Sequence, residues 1–421
     1  MKKRIISLII LLIICTSNII IFADDEIEEY NKKIDNNEIN KTIETSANLN
    51  DEPKINSRSA VVIDRKSKNI IYGKNENVKK AMASTTKIMT AMVVIQNTNL
   101  NNTVEISKKA AGTGGSRLGL NAGDKITVKD LLYGLLLRSG NDCAVALAEY
   151  VAGSVPEFSN LMNQNAQMLD LNNTHFVTPH GLDEEEHYTT AYELAILADY
   201  ALNNELFAQI VNKKSYTINI NKNSKTLNNT NELLGNLNGV YGVKTGFTNG
   251  AGRCLVTSIK RGNLDVICVV LGADTKKDRT RDSAKLIEYT FNKYEEIDIK
   301  EKIKESFEKW NEINGNRINI EKGESSKLEL TLNDKDKIFT YPIEKGTEDN
   351  INIEINANLN LKAPVLENTN IGKIKVYYNA KELLEIDILN INKINKKRIK
   401  NYMSDIFKNY NNYLEGIFES Y

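Results

Sequence analysis

Three short polar motifs follow one another along the chain and contain residue types that can carry out acyl transfer. They are Ser84-Thr85-Thr86-Lys87, Ser139-Gly140-Asn141 and Lys244-Thr245-Gly246. A serine supplies a nucleophile, a lysine can serve as its base, and the remaining polar groups can bind a substrate. Each motif alone is equally typical of a helix cap or a turn, but the ordered set is specific. The sequence therefore predicts a serine enzyme whose base is lysine.

The spacing of Ser84 and Lys87 suits a nucleophile and its base. If a helix begins at Ser84, the two side chains lie one turn apart on the same face, and the helix N-terminus favours a developing alkoxide. Lysine is protonated at its ordinary pKa of about 10.4. Burial beside Ile88 and Met89, and a second cation at Lys244, would both lower the pKa of Lys87.

The second motif follows residues 131–137, an apolar segment that predicts a helix. A helix end at this point would turn the polar side chains inward. Ser139 could then pass a proton between Lys87 and a leaving amine. Asn141 could hold a substrate carbonyl or orient Lys87.

The third motif ends a predicted strand, residues 239–244. Lys244 and Thr245 at a strand edge suit a substrate carboxylate, and Gly246 lets the backbone approach a ligand. An extended substrate could add to this edge as a further strand. The backbone N–H groups of Ser84 and Phe247 could then form an oxyanion hole.

Composition argues against several other classes of protein. Lys plus Arg and Asp plus Glu both total 55, so no bulk charge favours nucleic acid as a partner. His175, His180 and His187 are the only histidines, with spacings of five and seven residues. These spacings fit no zinc motif and favour loop or core histidines. We expect neither a metal nor a cofactor.

The surrounding elements predict an α+β catalytic domain over residues 56–297. Strands are expected first at Ser59–Asp64 and residues 70–72, which form a hairpin, and helical periodicity dominates residues 84–187. Later strands are expected at Ser215–Ile220 and residues 239–244, 254–259 and 265–271, before a helix over 282–294. Strands on both sides of a helical middle indicate an antiparallel sheet beside a helical cluster.

Two further segments follow this domain. Residues 298–390 contain short alternating segments that predict a small, sandwich-like all-β domain. Residues 391–421 return to a helical period that starts at Ile394, with aromatic residues on one face and a basic cluster at the beginning. This pattern favours an amphipathic helix on an anionic membrane surface. Packing of the helix on the β domain is the alternative.

The N-terminal residues have the pattern of an export signal. A basic start, an apolar run and a cleavage point after Ala23 predict a signal peptide over residues 1–23. An uncleaved anchor and lipidation at Cys15 are less favoured alternatives. Residues 24–55 are polar and predict a flexible spacer. We therefore expect an extracytoplasmic enzyme attached peripherally to the membrane, since no later stretch is apolar enough to span a bilayer.

The three remaining cysteines do not describe a disulfide framework. Cys254 and Cys268 lie nearly symmetrically about the turn at residues 260–263, so they could face each other across a hairpin. A disulfide between them is one interpretation, and two buried thiols are the favoured one.

With these motifs in place, the chain resembles the D-alanyl-D-alanine carboxypeptidases among the low-molecular-mass penicillin-binding proteins, the S11 serine peptidases. The resemblance is strong over residues 55–294 and moderate over the β domain. One departure is Met82, where many relatives have proline; it changes only the entry into the first motif. The matching segments are Ala83-Ser84-Thr85-Thr86-Lys87-Ile88-Met89-Thr90, Arg138-Ser139-Gly140-Asn141-Asp142, Thr178-Pro179-His180-Gly181-Leu182-Asp183 and Val243-Lys244-Thr245-Gly246-Phe247-Thr248.

The resemblance implies a β-lactamase/transpeptidase-like fold and removal of the terminal D-alanine from peptidoglycan stem pentapeptides. The reaction would pass through an acyl-enzyme on Ser84, with Lys87 as base and β-lactams as inhibitors. Arg279 resembles a family arginine near the substrate carboxylate. The resemblance also implies a C-terminal amphipathic anchor. It assigns the other motif residues to the site by position: Ser139, Asn141, Lys244, Thr245 and Gly246.

Several related functions remain as alternatives. A class A β-lactamase activates its deacylating water with a Glu-x-x-Leu-Asn segment. Here Leu171 and Asn172 are present but Met168 stands in place of the glutamate, which favours a slowly hydrolysed penicilloyl adduct. D,D-endopeptidases and transpeptidases share the acyl-enzyme and differ in which amine leaves or attacks. A non-catalytic wall-binding scaffold is disfavoured because all three motifs are retained.

Overall fold

The structure is a computed structural model that describes residue 41 and residues 52–418. The predicted signal peptide and most of the predicted spacer lie outside the described residues. The chain divides after Lys293 into two compact units. Each unit has its own hydrophobic core.

The first unit combines strands and helices in the order that an α+β fold predicts. Its strands are β1 (Ser59–Asp64), β2 (Ile70–Lys74), β3 (Thr103–Glu105), β4 (Lys125–Thr127), β5 (Ser215–Ile220), β6 (Asn223–Asn228), β7 (Val240–Thr248), β8 (Gly252–Arg261) and β9 (Leu264–Ala273). Its helices are α1 (Lys87–Asn97), α2 (Lys108–Ala111), α3 (Val128–Leu137), α4 (Asn141–Ala152), α5 (Val155–Met168), α6 (Ala191–Leu202), α7 (Glu205–Val211) and α8 (Lys276–Lys293). A 3-10 turn, Ala83–Thr86, precedes α1.

An antiparallel sheet joins the two ends of this unit. The strand order is β2-β1-β9-β8-β7, so the N-terminal hairpin pairs with the strands that follow the helices. Every residue of β1 is buried. Because alternate side chains of a strand point to opposite faces, both faces of the sheet are covered at β1. Strand β7 lies at the edge of the sheet and carries the third motif.

Helix α1 lies inside the helical cluster. Its first eight residues, Lys87 to Val94, are all buried, and α3, α4, α5 and α6 pack around it. A helix that is covered on all sides belongs to the core. Burial of two polar residues in it, Lys87 and Thr90, therefore requires hydrogen-bond partners for both.

Several predicted boundaries differ from the structure. Ser84 lies in the 3-10 turn and α1 begins at Lys87, although side chains three apart eclipse each other in a 3-10 turn and so still meet. The predicted helical region 84–187 is interrupted by the antiparallel pair of strands β3 and β4, and its last helix ends at Met168. Strand β6 was not predicted. The last helix of the first unit, α8, begins at Lys276 and therefore includes Arg279.

The two cysteines of the predicted hairpin do not face each other. Cys254 lies opposite Gly246, and Cys268 lies opposite Thr257 and Val62. A register irregularity between Arg253 and Leu255 shifts the β8–β9 pairing. Both cysteines are buried thiols, so the favoured interpretation is confirmed and the disulfide is not.

The second unit has a mainly β architecture. Its strands are β10 (Tyr294–Asp298), β11 (Asn319–Glu321), β12 (Leu330–Leu332), β13 (Thr340–Glu344), β14 (Ile351–Ala357), β15 (Asn360–Lys362), β16 (Asn370–Tyr378) and β17 (Lys381–Asn390). The largest sheet is antiparallel in the order β12-β17-β16-β14. The domain also contains a helix that the sequence analysis missed, α9 (Lys300–Asn314), which is rich in charged residues and buries only Ile303 and Phe307.

The last described helix is α10 (Ile399–Phe418). Ile394 was predicted to lie on this helix but is buried in the β domain, where it bridges to Val365. Helix α10 therefore begins later than predicted. Six large apolar side chains of its described part are exposed rather than packed on the domain: Ile399, Tyr402, Met403, Ile406, Phe407 and Tyr410. Among residues 52–418, no helix is both long and apolar enough to cross a bilayer.

Candidate active site

Ser84 and Lys87 meet at the start of α1. The side-chain nitrogen Nζ of Lys87 donates to Ser84 Oγ at 2.7 Å. Ser84 is 6% exposed and Lys87 is fully buried. The predicted contact between the hydroxyl and the amine is therefore present, in a site that excludes most water.

Lys87 also contacts the second motif and the loop after α5. Its Nζ donates to Asn141 Oδ1 at 2.7 Å and to the His180 carbonyl oxygen at 2.9 Å. Asn141 is held from its other side, because its Nδ2 donates to the Gly114 carbonyl oxygen at 2.8 Å. These contacts fix the direction of the Lys87 side chain.

The second motif also approaches the third. Lys244 Nζ donates to Ser139 Oγ at 3.1 Å and to the Thr245 carbonyl oxygen at 2.8 Å. Ser139 has a φ of +63°, in the left-handed region that non-glycine residues seldom occupy. Its side chain is fully buried. Backbone strain of this kind persists where the surroundings fix it, and it is common at active sites.

The edge strand β7 passes close to the nucleophile. A Cβ atom on Gly246 would lie 3.0 Å from the Ser84 backbone nitrogen, so glycine permits this approach. Phe247 follows directly, with the Arg253 guanidinium 3.7 Å from its ring centroid. Thr245 Oγ1 lies 2.8 Å from Thr230 Oγ1. The backbone of β7 and the Ser84 N–H group are thus neighbours, as an oxyanion hole requires.

Arg279 lies on α8, and the segment 230–232 contacts both Arg279 and the third motif. Its Nη2 lies 3.5 Å from Glu232 Oε2, and Glu232 is two residues after Thr230, the partner of Thr245. Arg279 is 1% exposed. The structure therefore links Arg279 to the Thr245 side of the site indirectly.

Sequence reasoning missed the contribution of the loop between α5 and α6. The His180 carbonyl binds Lys87, and the Pro179 carbonyl accepts from Thr90 Oγ1 at 2.6 Å. The His187 ring nitrogen Nε2 lies 2.8 Å from Thr86 Oγ1. The only available signal was the matching segment 178–183, whose backbone role the residue types do not reveal.

Two histidines of this loop are neutral: His187, which is buried, and His180, which is partly buried. Burial, with Lys87 as the second cause, lowers the pKa of His180 to about 3. Burial also lowers the pKa of His187 to about 4. In the part of the chain that the structure describes, no three His, Cys, Asp or Glu side chains are grouped as metal ligands.

Comparison with known proteins agrees with this arrangement. A family model described as D-alanyl-D-alanine carboxypeptidase matches residues 46–275. A second model, described as the C-terminal domain of penicillin-binding protein 5, matches residues 299–396. D-alanyl-D-alanine carboxypeptidase DacF of Bacillus subtilis is 35% identical over 336 residues, which cover 78% of this chain and 83% of the relative.

Solved structures of penicillin-binding proteins and of a DD-transpeptidase also resemble this chain. Penicillin-binding protein 5 from Haemophilus influenzae is 28% identical, with a TM-score of 0.67, and the match covers 82% of this chain and 99% of that one. The Streptomyces K15 DD-transpeptidase is 35% identical, with a TM-score of 0.55, and the match covers 57% of this chain and 99% of that one.

The sheet, the helical cluster and the grouped motifs define the class of penicillin-binding serine peptidases, which are hydrolases. Within this class, the chain belongs to the D-alanyl-D-alanine carboxypeptidase family. The resemblance inferred from the four motif segments is confirmed.

Proposed function

We propose that this protein removes the terminal D-alanine from peptidoglycan stem pentapeptides through an acyl-enzyme on Ser84. The observation that carries the proposal is the buried hydrogen bond of 2.7 Å between Lys87 Nζ and Ser84 Oγ. It joins a nucleophile to a base in the family to which the chain belongs.

Acylation begins when Ser84 Oγ attacks the carbonyl carbon of the D-Ala-D-Ala peptide bond. Lys87 takes the hydroxyl proton, since burial disfavours the charged form of an amine. The Ser84 and Phe247 N–H groups stabilise the negative charge on the tetrahedral intermediate. The peptide bond then breaks, and the leaving amine receives a proton through Lys87 or through Ser139.

The third motif orients the substrate. Lys244 and Thr245 bind the terminal carboxylate of the substrate, and the buried guanidinium of Arg279 adds positive charge on the same side. Gly246 leaves room for the extended peptide beside β7. The Asn141 side chain, which contacts Lys87, orients the base.

Water completes the cycle by attacking the Ser84 ester, which releases the shortened peptide. With a β-lactam the same attack opens the four-membered ring and leaves a penicilloyl ester. Met168, which stands where a class A β-lactamase carries its glutamate, is 72% exposed at the end of α5. A thioether activates no water, so the penicilloyl ester persists and the β-lactam acts as an inhibitor.

The enzyme works outside the cytoplasm, peripherally attached to the membrane through α10. The export pattern of residues 1–23 supports the location. The exposed apolar face of α10 supports the attachment, because an apolar stripe beside the basic residues Lys396, Arg398 and Lys400 suits an anionic lipid surface.

Mass spectrometry of the purified protein tests this function. The chain is incubated with a synthetic pentapeptide ending in D-Ala-D-Ala and separately with benzylpenicillin, beside Ser84→Ala. We expect release of D-alanine and a stable adduct on Ser84, both absent in the variant. Rapid penicillin turnover without peptide cleavage would indicate a β-lactamase. Peptide transfer to an added amine in preference to water would indicate a transpeptidase, and inertness toward both substrates a scaffold.

A further inference from the structure

A one-directional chain of hydrogen bonds runs from the loop after α5 to the residue before Ser84. The Val177 backbone N–H donates to His187 Nδ1 at 2.9 Å. His187 Nε2 lies 2.8 Å from Thr86 Oγ1, and that hydroxyl donates to the Ala83 carbonyl oxygen at 2.8 Å. Because Nδ1 accepts, Nε2 carries the proton and donates to Thr86. Every donor in the chain therefore points towards Ala83.

Ala83 has a backbone conformation that needs such support. Its φ is +48°, in the left-handed region that is uncommon for a residue with a side chain. Its carbonyl also faces Gly181, where a Cβ atom would lie 1.9 Å from the Ala83 oxygen. The hydrogen bond from Thr86 and the close contact with Gly181 together fix the peptide group that leads into Ser84.

Solvent cannot replace these contacts. Thr86 is fully buried, and His187 is 3% exposed. A pKa near 4 keeps His187 neutral at physiological pH, so that Nδ1 remains an acceptor and Nε2 a donor. Removing the hydrogen-bonding group of either residue would leave buried polar groups without partners. This would favour rearrangement of the 3-10 turn at Ala83–Thr86.

We propose that His187 is a positioning residue that acts through Thr86 and Ala83 to place the hydroxyl and N–H group of Ser84 against the scissile carbonyl. The inference rests on the proposed acylation of Ser84. Reacting groups must be aligned closely, and a misplacement of about 1 Å can slow a reaction by about 100-fold.

The test separates binding from acylation in the full chain. Stopped-flow measurements with benzylpenicillin give the dissociation constant of the non-covalent complex and the acylation rate constant. His187→Asn keeps an acceptor near Nδ1 but removes the donor to Thr86, and Thr86→Val removes the hydroxyl. Both should lower the acylation rate constant by about 10- to 100-fold with an unchanged dissociation constant.

Conservative variants test the assignment of each atom. The side-chain amide of His187→Gln can donate near the position of Nε2, and Thr86→Ser keeps the hydroxyl. Both should retain most of the acylation rate. If His187→Asn does not fold, the pair Thr86→Val and Thr86→Ser decides the question, because valine is close to threonine in shape and differs mainly in the hydroxyl.

Asn163→Ala is the matched control for a purely structural role. Asn163 bonds both the N–H and the carbonyl of Phe176 at 2.8 Å, so it ties the same loop to α5 one residue before Val177. It should lower the melting temperature without slowing acylation. Wild-type acylation rates in His187→Asn and Thr86→Val, or equal slowing in Asn163→Ala, would refute the positioning role. Absence of any Ser84 adduct in the wild-type chain would instead refute the proposed function.

Discussion

Helices α1 and α10 depart from the usual partition of polar and apolar residues in opposite ways. Helix α1 buries a lysine and a threonine on a core helix, and both have hydrogen-bond partners. Helix α10 exposes six large apolar side chains, with Ile399 80% exposed. Each departure reduces stability in water unless something compensates for it. Under the proposed function, acyl-transfer chemistry would compensate in α1 and a lipid surface would compensate in α10.

The largest effect is expected when the buried amine of α1 is removed. Lys87→Met keeps a long unbranched side chain but has no base, so the acylation rate constant should fall by about 10,000-fold or more. Stopped-flow acylation with benzylpenicillin measures the effect. Lys108→Met, at an exposed position on α2, is the control and should acylate normally. Rapid acylation of Lys87→Met would remove the chemical reason for burying a lysine in α1.

A smaller effect concerns stability as a function of pH. The pKa values of His180 and His187 in the folded chain, about 3 and about 4, lie below the ordinary value of 6.5. Between pH 6.5 and about 4 the unfolded chain therefore binds more protons, so stability falls as pH falls through this window. The share of His187 is on the order of 3 kcal/mol as an upper limit.

Calorimetry between pH 4 and pH 7 checks this dependence. The transition of the first unit is identified as the one that a benzylpenicillin adduct shifts. His187→Gln should weaken the dependence of that transition on pH, because glutamine does not titrate. An equal dependence in the variant and the wild-type chain would contradict the prediction.

A change of similar free energy is expected in the affinity of α10 for lipid vesicles. Ile406→Asp places a charge where an apolar side chain would enter the lipid, and loss of a large apolar contact of about 1.5–3 kcal/mol weakens binding about 10- to 100-fold. Sedimentation with vesicles containing phosphatidylglycerol measures the affinity. Asn412→Asp adds the same charge on the opposite side of the helix and should bind nearly as the wild-type chain does. Cleavage of a soluble pentapeptide should be unchanged in both variants.

The smallest effect tests the basic part of the same region. Lys400→Gln should lower affinity for anionic vesicles about fivefold, which corresponds to about 1 kcal/mol for each surface lysine. Binding to neutral vesicles should not change. Lys381→Gln, an exposed lysine on β17, serves as the control. Equal losses on neutral and anionic vesicles would show that charge does not contribute to the attachment.

The sequence predicted one decisive contact between side chains, that of Lys87 with Ser84, but not the contact of His187 with Thr86. The contact of Lys87 with Ser84 followed from their spacing. Strand β1 was predicted with its observed bounds because a run of β-branched residues is followed directly by turn-forming residues 65–69. The contacts of backbone groups were not predictable. Nothing in the type of residue 180 indicates that its carbonyl accepts a hydrogen bond from a lysine 93 positions earlier.

Other differences have equally local causes. Helix α9 was missed although Ile303, Phe307 and Trp310 recur at helical spacing, because charged residues occupy most of its other positions. Ile394 fits the period of the terminal helix, but its bridge to Val365 in the β domain prevails over that pattern. In both places, tertiary contacts decide what the local pattern leaves open.

Burial of the cysteines makes the chain suitable for site-specific labelling. Cys143, Cys254 and Cys268 are buried, and burial raises the thiol pKa of Cys143 and of Cys268. A maleimide reacts with an accessible thiolate, so these native thiols should react slowly while the protein stays folded. A single cysteine introduced at Asn412 could therefore carry a fluorophore without removal of any of these three residues. The labelled chain would report, from the side of α10 that faces away from the lipid, whether the helix has bound to a vesicle.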